Sequence, residues 1–253
     1  MRIVVIGGTG LIGSKTVALL ARRGHDVFAA APNTGVDTVT GNGLDRALAG
    51  AEVVIDVSNS PSFEGDAAMA FFQAAGVNIA NAEKAAGVRH HVALSVVGTD
   101  RLQDSGYFRA KLAQERLIAS AGIPYTLIHA TQFFEFLRGI AGFSVLGGDV
   151  RLPPAQFQPM AAQDVAEAVV TAALGAPANT MIEVAGPHAF RIDELVARVL
   201  SFDNDPRRVI GDPAAPYFGV AITDATLMPG RAARLGTTSF DWWLKNVPQP
   251  PKK

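Results

Sequence analysis

The stretch that decides the fold is Gly7-Gly8-Thr9-Gly10-Leu11-Ile12-Gly13, near the start of a chain of 253 residues. A short β-branched run, 2–6, precedes it and is typical of a buried parallel strand. Apolar residues at helical spacing follow over 14–23, and Gly24 ends that segment. A second apolar run, 27–31, comes next. The pattern therefore predicts strand, glycine turn, helix and strand in immediate succession.

The glycines of this stretch have the spacing of a turn that binds a dinucleotide. We expect Gly7 to allow a tight turn, Gly10 to let the backbone approach a pyrophosphate, and Gly13 to let helix and strand pack closely. The helix that follows would present free N–H groups and a positive dipole end to the phosphates. A loop that serves only as a connection is the alternative. The predicted cofactor contacts in this stretch are Gly7, Thr9, Gly10, Leu11, Ile12 and Gly13.

Composition narrows the classes of protein. Apolar residues make up 49% of the chain, enough for a sizeable core, and a net charge of −1 gives no basic surface for nucleic acid or anionic lipid. The absence of cysteine excludes disulfides and thiolate chemistry and suits the cytoplasm. Glycines break the first apolar stretch, so we expect neither a signal peptide nor a membrane span. The expected partner is a small-molecule substrate, bound by a monomer or homodimer.

The end of the second predicted strand bears on the choice of cofactor. A site selective for NAD usually places an acidic residue here to hold the ribose 2′-hydroxyl, and 27–36 contains none. This absence favours NADP(H), with contacts expected from Asn33 and Thr34. Lys15 and Arg2 are further candidates for such contacts. No arginine follows the strand to receive a 2′-phosphate, so NAD(H) stays open as the alternative.

Further strands and helices follow in alternation. The pattern predicts a short third strand within 36–44, a short helix over 44–49 and a fourth, buried strand over 52–57. Ligands of a doubly wound sheet lie at the carboxyl ends of its strands, so we expect Ser58 and Asn59 to border the cofactor. A plain strand-to-loop turn is the alternative for these two residues.

A long helical stretch, 67–86, leads to a fifth strand over 90–98 that contains two adjacent histidines. Neighbouring side chains of a strand point to opposite faces, so His90 and His91 cannot share one ion. No carboxylate completes a ligand set, and we predict no metal site.

The second informative stretch is Tyr107-Phe108-Arg109-Ala110-Lys111, at the start of a helical pattern. Tyr107 and Lys111 stand one turn apart on the same face. An ammonium group beside the phenol would pull its pKa down from about 10. Such a tyrosine exchanges a proton with a carbonyl oxygen as a hydride is transferred. Ser95, twelve residues upstream at a strand end, is placed to hydrogen-bond the same oxygen. An ordinary amphipathic helix with an interfacial tyrosine is the alternative.

Together these residues resemble the short-chain dehydrogenase/reductase superfamily in its atypical, NmrA-like branch. The glycine turn, Ser95, Tyr107 with Lys111, and the block Gly122-Ile123-Pro124-Tyr125-Thr126-Leu127-Ile128 carry the resemblance, which runs over most of the chain. It implies a site that prefers NADP. It also implies that Ser95 is the oxyanion partner, Tyr107 the acid/base and Lys111 the contact to the nicotinamide ribose.

The resemblance also indicates where the substrate lies. The segment 130–135 follows the next strand, 125–129, where such proteins form the wall between nicotinamide and substrate. We therefore expect Thr131, Gln132 and Phe133 to line the substrate. Many relatives read Leu-Arg-Pro where this chain has Ile128-His129-Ala130, and many carry an arginine after the second strand.

The last third of the chain predicts fewer features. Residues from about 143 onward are expected to cap the substrate, because loops over a fixed scaffold carry specificity. We predict a helix over 165–174 with Asp164 as its N-cap, a strand over 180–185 and a helix that Asp193 opens.

The predicted fold is a Rossmann-type, doubly wound α/β protein with a parallel sheet of six or seven strands. It is expected to form a single NAD(P)-binding domain over 1–253 with a small C-terminal substrate-capping region. The predicted function is an NADP(H)-dependent oxidoreductase that transfers a hydride between the nicotinamide and a small apolar carbonyl or quinone. A non-catalytic regulator that senses NAD(P) is the alternative, and a sugar epimerase of the same superfamily is a third possibility.

Overall fold

The computed structural model describes residues 1–247 as alternating strands and helices. The strands are β1 Arg2–Ile6, β2 Asp26–Ala30, β3 Val53–Asp56, β4 His90–Val96, β5 Tyr125–Ala130, β6 Val145–Leu146, β7 Asp149–Leu152, β8 Gln156–Phe157, β9 Thr180–Ala185, β10 Phe190–Arg191, β11 Val209–Gly211 and β12 Arg234–Leu235. The helices are α1 Leu11–Arg22, α2 Leu44–Leu48, α3 Gly65–Ala86, α4 Gly106–Ser120, α5 Leu137–Phe143, α6 Ala162–Leu174, α7 Ile192–Phe202 and α8 Phe240–Asn246.

Seven of the strands form a parallel sheet in the order β12-β9-β5-β4-β3-β1-β2. Ile3, Val4 and Val5 of β1 are completely buried, as expected of a strand covered by helices on both faces. The predicted Rossmann-type α/β fold, with its six or seven strands, is thereby confirmed. Because β2 and β3 lie on opposite sides of β1, the chain reverses its direction of winding at the carboxyl end of β1. Ligands of such sheets bind at this point.

The chain divides into two compact units. The first contains Met1–Ala130 and Val165–Glu183, and thus strands β1 to β5, helices α1 to α4 and most of α6. The second contains Thr131–Asp164 and the chain from Val184 onward.

One predicted strand is wrong. The segment 36–43 forms turns instead, because its polar groups are satisfied locally, and Leu44 begins α2. The carboxylate of Asp37 accepts hydrogen bonds from the backbone N–H groups of Val39 and Thr40. Gly41 and Gly43 have φ angles of 80° and 81°, a conformation that ends extended structure. Strand β2 is therefore the edge of the sheet.

The second unit has its own small sheets and an aromatic core. Strands β6 and β7 form a hairpin, β11 pairs with β7 in parallel, and β8 pairs with β10. Phe134, Phe240 and Trp243 pack together with ring centroids 5.4–6.0 Å apart. The carboxylate of Glu135 accepts hydrogen bonds from Trp243 Nε1 and the N–H of Ala162.

Asp164 has a different role from the predicted one. Helix α6 begins at Ala162, so Asp164 lies inside its first turn and is not the N-cap. Its carboxylate accepts hydrogen bonds from the backbone N–H and the hydroxyl of Thr238 and fixes the segment before α8. The first turn of a helix favours a negative charge, which explains why an acidic residue stands here. Among residues 1–247, no helix is long and apolar enough to cross a bilayer.

Candidate active site

The glycine turn holds the carboxyl ends of three strands close together. Gly7 has a φ of 75°, and the N–H groups of Gly7 and Gly8 donate to the carbonyl of Ala30 at the end of β2, at 2.9 and 3.3 Å. A Cβ atom on Gly7 would lie 2.9 Å from the nitrogen of Ser58, which follows β3. A Cβ on Gly13 would overlap the carbonyl of Gly7, with its carbon 2.7 Å away. The turn and close packing expected of Gly7 and Gly13 are therefore present.

The fold also requires a glycine at position 8, which is not among the predicted cofactor contacts. Its Cβ would lie 2.7 Å from both Ala29 Cα and the carbonyl oxygen of Val5, so no side chain fits between β1 and β2. The signal was available, because Gly8-x-Gly10-x-x-Gly13 is itself a dinucleotide fingerprint.

The backbone N–H groups at the start of helix α1 have no capping side chain. Gly10 is the N-cap of this helix, and no acidic residue stands in its first turn. A Cβ on Gly10 would meet only the Gly7 oxygen, at 3.3 Å. Of the next two predicted contacts, Leu11 is exposed and Ile12 is buried. The first-turn N–H groups and the positive end of the helix dipole thus offer a place for an anion.

The two residues after β2 that are predicted to contact the cofactor differ in whether their side chains are available to a ribose. The hydroxyl of Thr34 accepts from the N–H of Ala31 and donates to the carbonyl of Ala29, at 2.9 and 2.8 Å, so it is occupied by the turn. Asn33 is exposed, and its Oδ1 accepts from Thr9 Oγ1 at 3.3 Å. Arg2 was a wrong candidate, because it pairs with Asp26 at the amino end of β1 and β2, opposite the turn.

Asn59 joins the loop after β3 to the candidate acid/base. The phenol of Tyr107 donates to Asn59 Oδ1 at 2.8 Å, and its ring contacts Phe63 and Phe72, with centroids 5.1 and 6.2 Å away. Ser58 turns back on its own strand, since its N–H and hydroxyl both bind Asp56 Oδ1. The structure therefore brings Tyr107 and Asn59 together at the carboxyl end of β3.

Lys111 does not approach the phenol as expected. Its ammonium group is buried, donates to the carbonyl of Leu94 at 3.0 Å and to Gln114 Oε1 at 2.6 Å, and lies 4.8 Å from the centroid of Phe72. Gln114 in turn donates to the buried carboxylate of Asp56 at 3.1 Å. Burial lowers the pKa of Lys111 to about 8, although the charges of Asp56 and Glu115 oppose this shift.

The prediction that Lys111 lowers the pKa of Tyr107 is wrong. Burial raises the pKa of Tyr107 to about 12, and only the hydrogen bond to Asn59 opposes it. The physical reason is the direction of Lys111, whose ammonium group is directed at Gln114 and the backbone. The phenol consequently keeps its proton at neutral pH.

Ser95 points to a different group from the expected one. Its hydroxyl, buried, donates to Glu115 Oε1, and His129 Nε2 lies 3.1 Å from the same oxygen. Burial disfavours the carboxylate, but the contacts with His129 and Ser95 outweigh it and lower the pKa of Glu115. Since the single proton of Ser95 serves a buried carboxylate, the expectation that it hydrogen-bonds the substrate oxygen finds no support in this geometry.

Two glycines outside the glycine turn fix the position of Tyr107. Gly65 and Gly106 are the first residues of α3 and α4. A Cβ on Gly106 would lie 2.5 Å from Gly65 Cα, and one on Gly65 would lie 2.8 Å from Gly106 Cα. The two helices therefore touch backbone to backbone, one residue before Tyr107. Because the partner glycines are distant in sequence, only a three-dimensional structure reveals this contact.

The three residues expected to line the substrate lie at the start of the second unit. Thr131 donates to the carbonyl of Gln158 at 2.6 Å, and the ring of Phe133 stacks on Phe136 at 5.1 Å. Gln132 is buried, and its Oε1 has no hydrogen-bond partner among the residues that the structure describes.

The adjacent histidines have separate structural partners. His90 Nε2 lies 2.9 Å from Thr126 Oγ1, and His91 Nδ1 lies 2.6 Å from Glu83 Oε1. Burial lowers the pKa of His90 to about 4. Burial also disfavours the charged form of His91, but the charge of Glu83 outweighs it and raises the pKa. Within 1–247 the structure shows no group of three or more His, Asp or Glu residues able to hold a metal ion.

The sheet order and the glycine turn define a Rossmann-type α/β protein. The model of the NmrA-like family matches residues 1–188. The chain therefore belongs to the NmrA-like family, within the atypical short-chain dehydrogenase/reductase superfamily, as its resemblance implied.

Comparisons with individual proteins agree with this assignment. The chain is 30% identical to a (4-alkanoyl-5-oxo-2,5-dihydrofuran-3-yl)methyl phosphate reductase of Streptomyces griseus, over 83% of this chain and 74% of that protein. It is 24% identical to the photosystem II assembly factor Ycf39 of Synechocystis, over 85% and 72% of the two chains. A solved structure of MoeE5 in complex with UDP-glucose and NAD has the same fold, with a TM-score of 0.75, 18% identity and 96% of each chain covered.

Proposed function

We propose that the protein is an NADP(H)-dependent reductase. Its substrate is a small and largely apolar carbonyl compound or quinone, which receives a hydride from the cofactor. The observation that carries the proposal is the neutral phenol of Tyr107, held by Asn59 at the carboxyl end of β3. A group that keeps its proton at neutral pH is suited to give it to the oxygen of a carbonyl that receives a hydride.

The residues that would hold the cofactor fit its chemistry. The uncapped first turn of α1 offers N–H donors to the pyrophosphate, and the exposed amide of Asn33 is available to the ribose after β2. The ammonium of Lys111 has three donors, of which the structure uses two, which leaves one for a ribose hydroxyl. When bound, the reduced nicotinamide supplies the hydride.

Tyr107 then has one task in the reaction, which is to protonate the substrate oxygen. In this structure the phenol O–H donates to Asn59 Oδ1, so in the proposed reaction it turns from the exposed amide of Asn59 to the substrate oxygen. We propose that the Asn59 amide N–H₂ donates to the same oxygen in place of Ser95, whose proton is held by the buried Glu115. The unpartnered Oε1 of Gln132 is the group we propose as a polar contact to the substrate. The Streptomyces relative supports the carbonyl part of this substrate class only, because its name describes a reductase of a small molecule that has alkanoyl and ring oxo groups and also a charged methyl phosphate.

The test is NADPH consumption against a panel of aldehydes, ketones, quinones and alkanoyl lactones. Tyr107→Phe keeps the ring and removes the proton, so turnover should fall about 10²–10⁴-fold while NADPH affinity holds. Tyr125→Phe is the matched control, because that tyrosine opens β5 and contacts the apolar cluster of Ala93, Ile118 and Leu127. Full activity in Tyr107→Phe would show that the proton comes from another group.

A second function is favoured by one comparison. In this alternative the chain senses NAD(P) and binds a partner protein without turnover, and the relative named as an assembly factor supports the partner-binding part. Tight NADPH binding together with no activity on any member of the panel would support this alternative against the reductase.

A further inference from the structure

The second unit contains a cavity that the proposed reductase reaction does not use. Its volume is about 340 Å³, and three segments line it: the end of α5, the hairpin of β6 and β7, and the loop 212–219. All of them belong to the second unit. The volume has room for about ten water molecules at about 30 Å³ each and falls in the range of small-molecule sites.

The rim of this cavity is apolar and open to solvent. Phe143, Leu146 and Phe218 are 72, 66 and 40% exposed, and the rings of Phe143 and Phe218 lie 5.7 Å apart. A single exposed apolar side chain is ordinary on a protein surface. Three exposed apolar side chains around one concavity are unusual, and such a cluster is typical of a binding site.

The backbone at the rim is strained. Phe218 has a φ of 48°, which a bulky residue rarely adopts. Its ring meets the buried Tyr217 edge to face at 4.9 Å, so the strained conformation holds an aromatic face at the cavity wall. Strain of this kind recurs where a protein clamps a ligand.

One ion pair lies in the wall. Arg151 Nη1 donates to Asp212 Oδ2 at 3.3 Å, and Asp212 Oδ1 accepts from the N–H of Ala214. The two charges cancel, so the cavity does not favour a charged ligand. A guanidinium group has five N–H donors, and Asp212 takes one of them. Arg151 can therefore donate to an additional acceptor at the wall.

We propose that this cavity binds an uncharged, largely apolar small molecule with one carbonyl oxygen that Arg151 hydrogen-bonds, such as an aryl ketone, an alkyl ketone or a lactone. The apolar body would cover Phe143, Leu146 and Phe218. The site goes beyond the proposed reductase, because its lining comes wholly from the second unit.

The test uses 6-propionyl-2-(dimethylamino)naphthalene, an uncharged aryl ketone whose emission shifts to the blue in apolar surroundings. The full chain should bind it saturably at one site. Leu146→Asp and Phe143→Asp place a charge at the rim and should weaken binding at least about tenfold. Arg151→Met removes the donor and should weaken it at least about threefold. Phe202→Asp is the control and should stay within about twofold, because Phe202 is 47% exposed at the end of α7, outside the cavity.

Three results would overturn the proposal. The first is that the full chain does not bind the probe saturably. The second is that the rim variants bind the probe as tightly as the wild type does. The third is that Phe202→Asp loses as much affinity for the probe as the rim variants do. Light scattering supplies a further arm: a dimer that Leu146→Asp dissociates, with probe binding unchanged, would make the rim an interface between copies of the chain. If a melting curve shows that an Asp variant fails to fold, Leu146→Gln and Phe143→Gln replace it.

Discussion

Gly10 and Gly13 stand three residues apart in the glycine turn, yet their surroundings differ. A Cβ at Gly10 would meet only the Gly7 oxygen, at 3.3 Å, whereas one at Gly13 would overlap the Gly7 carbonyl. Gly10→Val should therefore block a pyrophosphate and leave the fold intact, because the extended backbone of Gly10 accepts a β-branched residue. Titration of NADPH and a melting curve separate the two effects.

The controls for this prediction are two further glycine substitutions. Gly13→Ala should cost both affinity and about 1–3 kcal/mol of unfolding free energy, since overpacking forces the backbone to move. Gly139→Ala lies in α5 with no atom within 4 Å of the new Cβ, and it should stabilise by about 0.5–1 kcal/mol. Unchanged NADPH affinity in Gly10→Val would move the dinucleotide site elsewhere.

Lys111 gives the proposed reaction a defined pH dependence. Its pKa of about 8 means that the ammonium is charged below pH 8 and loses its proton above. If the charged form holds the ribose, kcat/KM for NADPH should fall tenfold per pH unit above about 8. The phenol of Tyr107 should cause no further fall in kcat/KM until about pH 12, where it loses its proton.

The matched variants separate charge from structure. Lys111→Arg keeps a positive charge at every pH and should remove the alkaline fall, whatever the absolute rate. Lys111→Met should lower turnover and weaken NADPH binding throughout the pH range. A wild-type profile that stays flat from pH 7 to pH 10 would contradict the role of Lys111.

At the scale of elements, helices α3 and α4 determine where the phenol lies. Their first residues, Gly65 and Gly106, touch without side chains between them. Gly106→Ala should push the helix ends apart and displace Tyr107, which follows directly. We expect kcat to fall about 10²-fold, the cost that a misplacement of about 1 Å can have, with a much smaller change in NADPH affinity.

The control for this prediction lies between the same two helices. Gly76 also belongs to α3, but its Cβ would meet only the flexible side chain of Leu117, at 3.2 Å or more. Gly76→Ala should therefore change kcat less than about threefold, because a side chain yields more easily than a backbone. Equal losses in both variants would show that general packing, and not the position of Tyr107, governs the rate.

The order of strands and helices could be predicted because parallel strands are buried on both faces and so read as continuous apolar runs. The segment 36–44 was misread because Val36 and Val39 look apolar, while the turn depends on the side chain of Asp37 and two left-handed glycines. The directions of Lys111 and Ser95 could not be predicted, because Gln114, Asp56 and Glu115 reach them from other turns and strands. Spacing within one helix does not specify such partners.

At the scale of the whole molecule, cofactor choice can be measured as stability. A ligand that binds only the folded state stabilises it by about 2.7 kcal/mol at one hundred times its Kd. The absence of an acidic residue after β2 predicts that NADP(H) raises the melting temperature more than NAD(H) at equal concentration. Asn33→Asp should reverse this order, because a carboxylate at this exposed position holds a ribose 2′-hydroxyl and repels a 2′-phosphate. Asn81→Asp, the same change on the exposed face of α3, should leave the order as it is. A larger shift with NAD(H) in the wild type would refute the preference for NADP(H) and leave the rest of the proposed reaction intact.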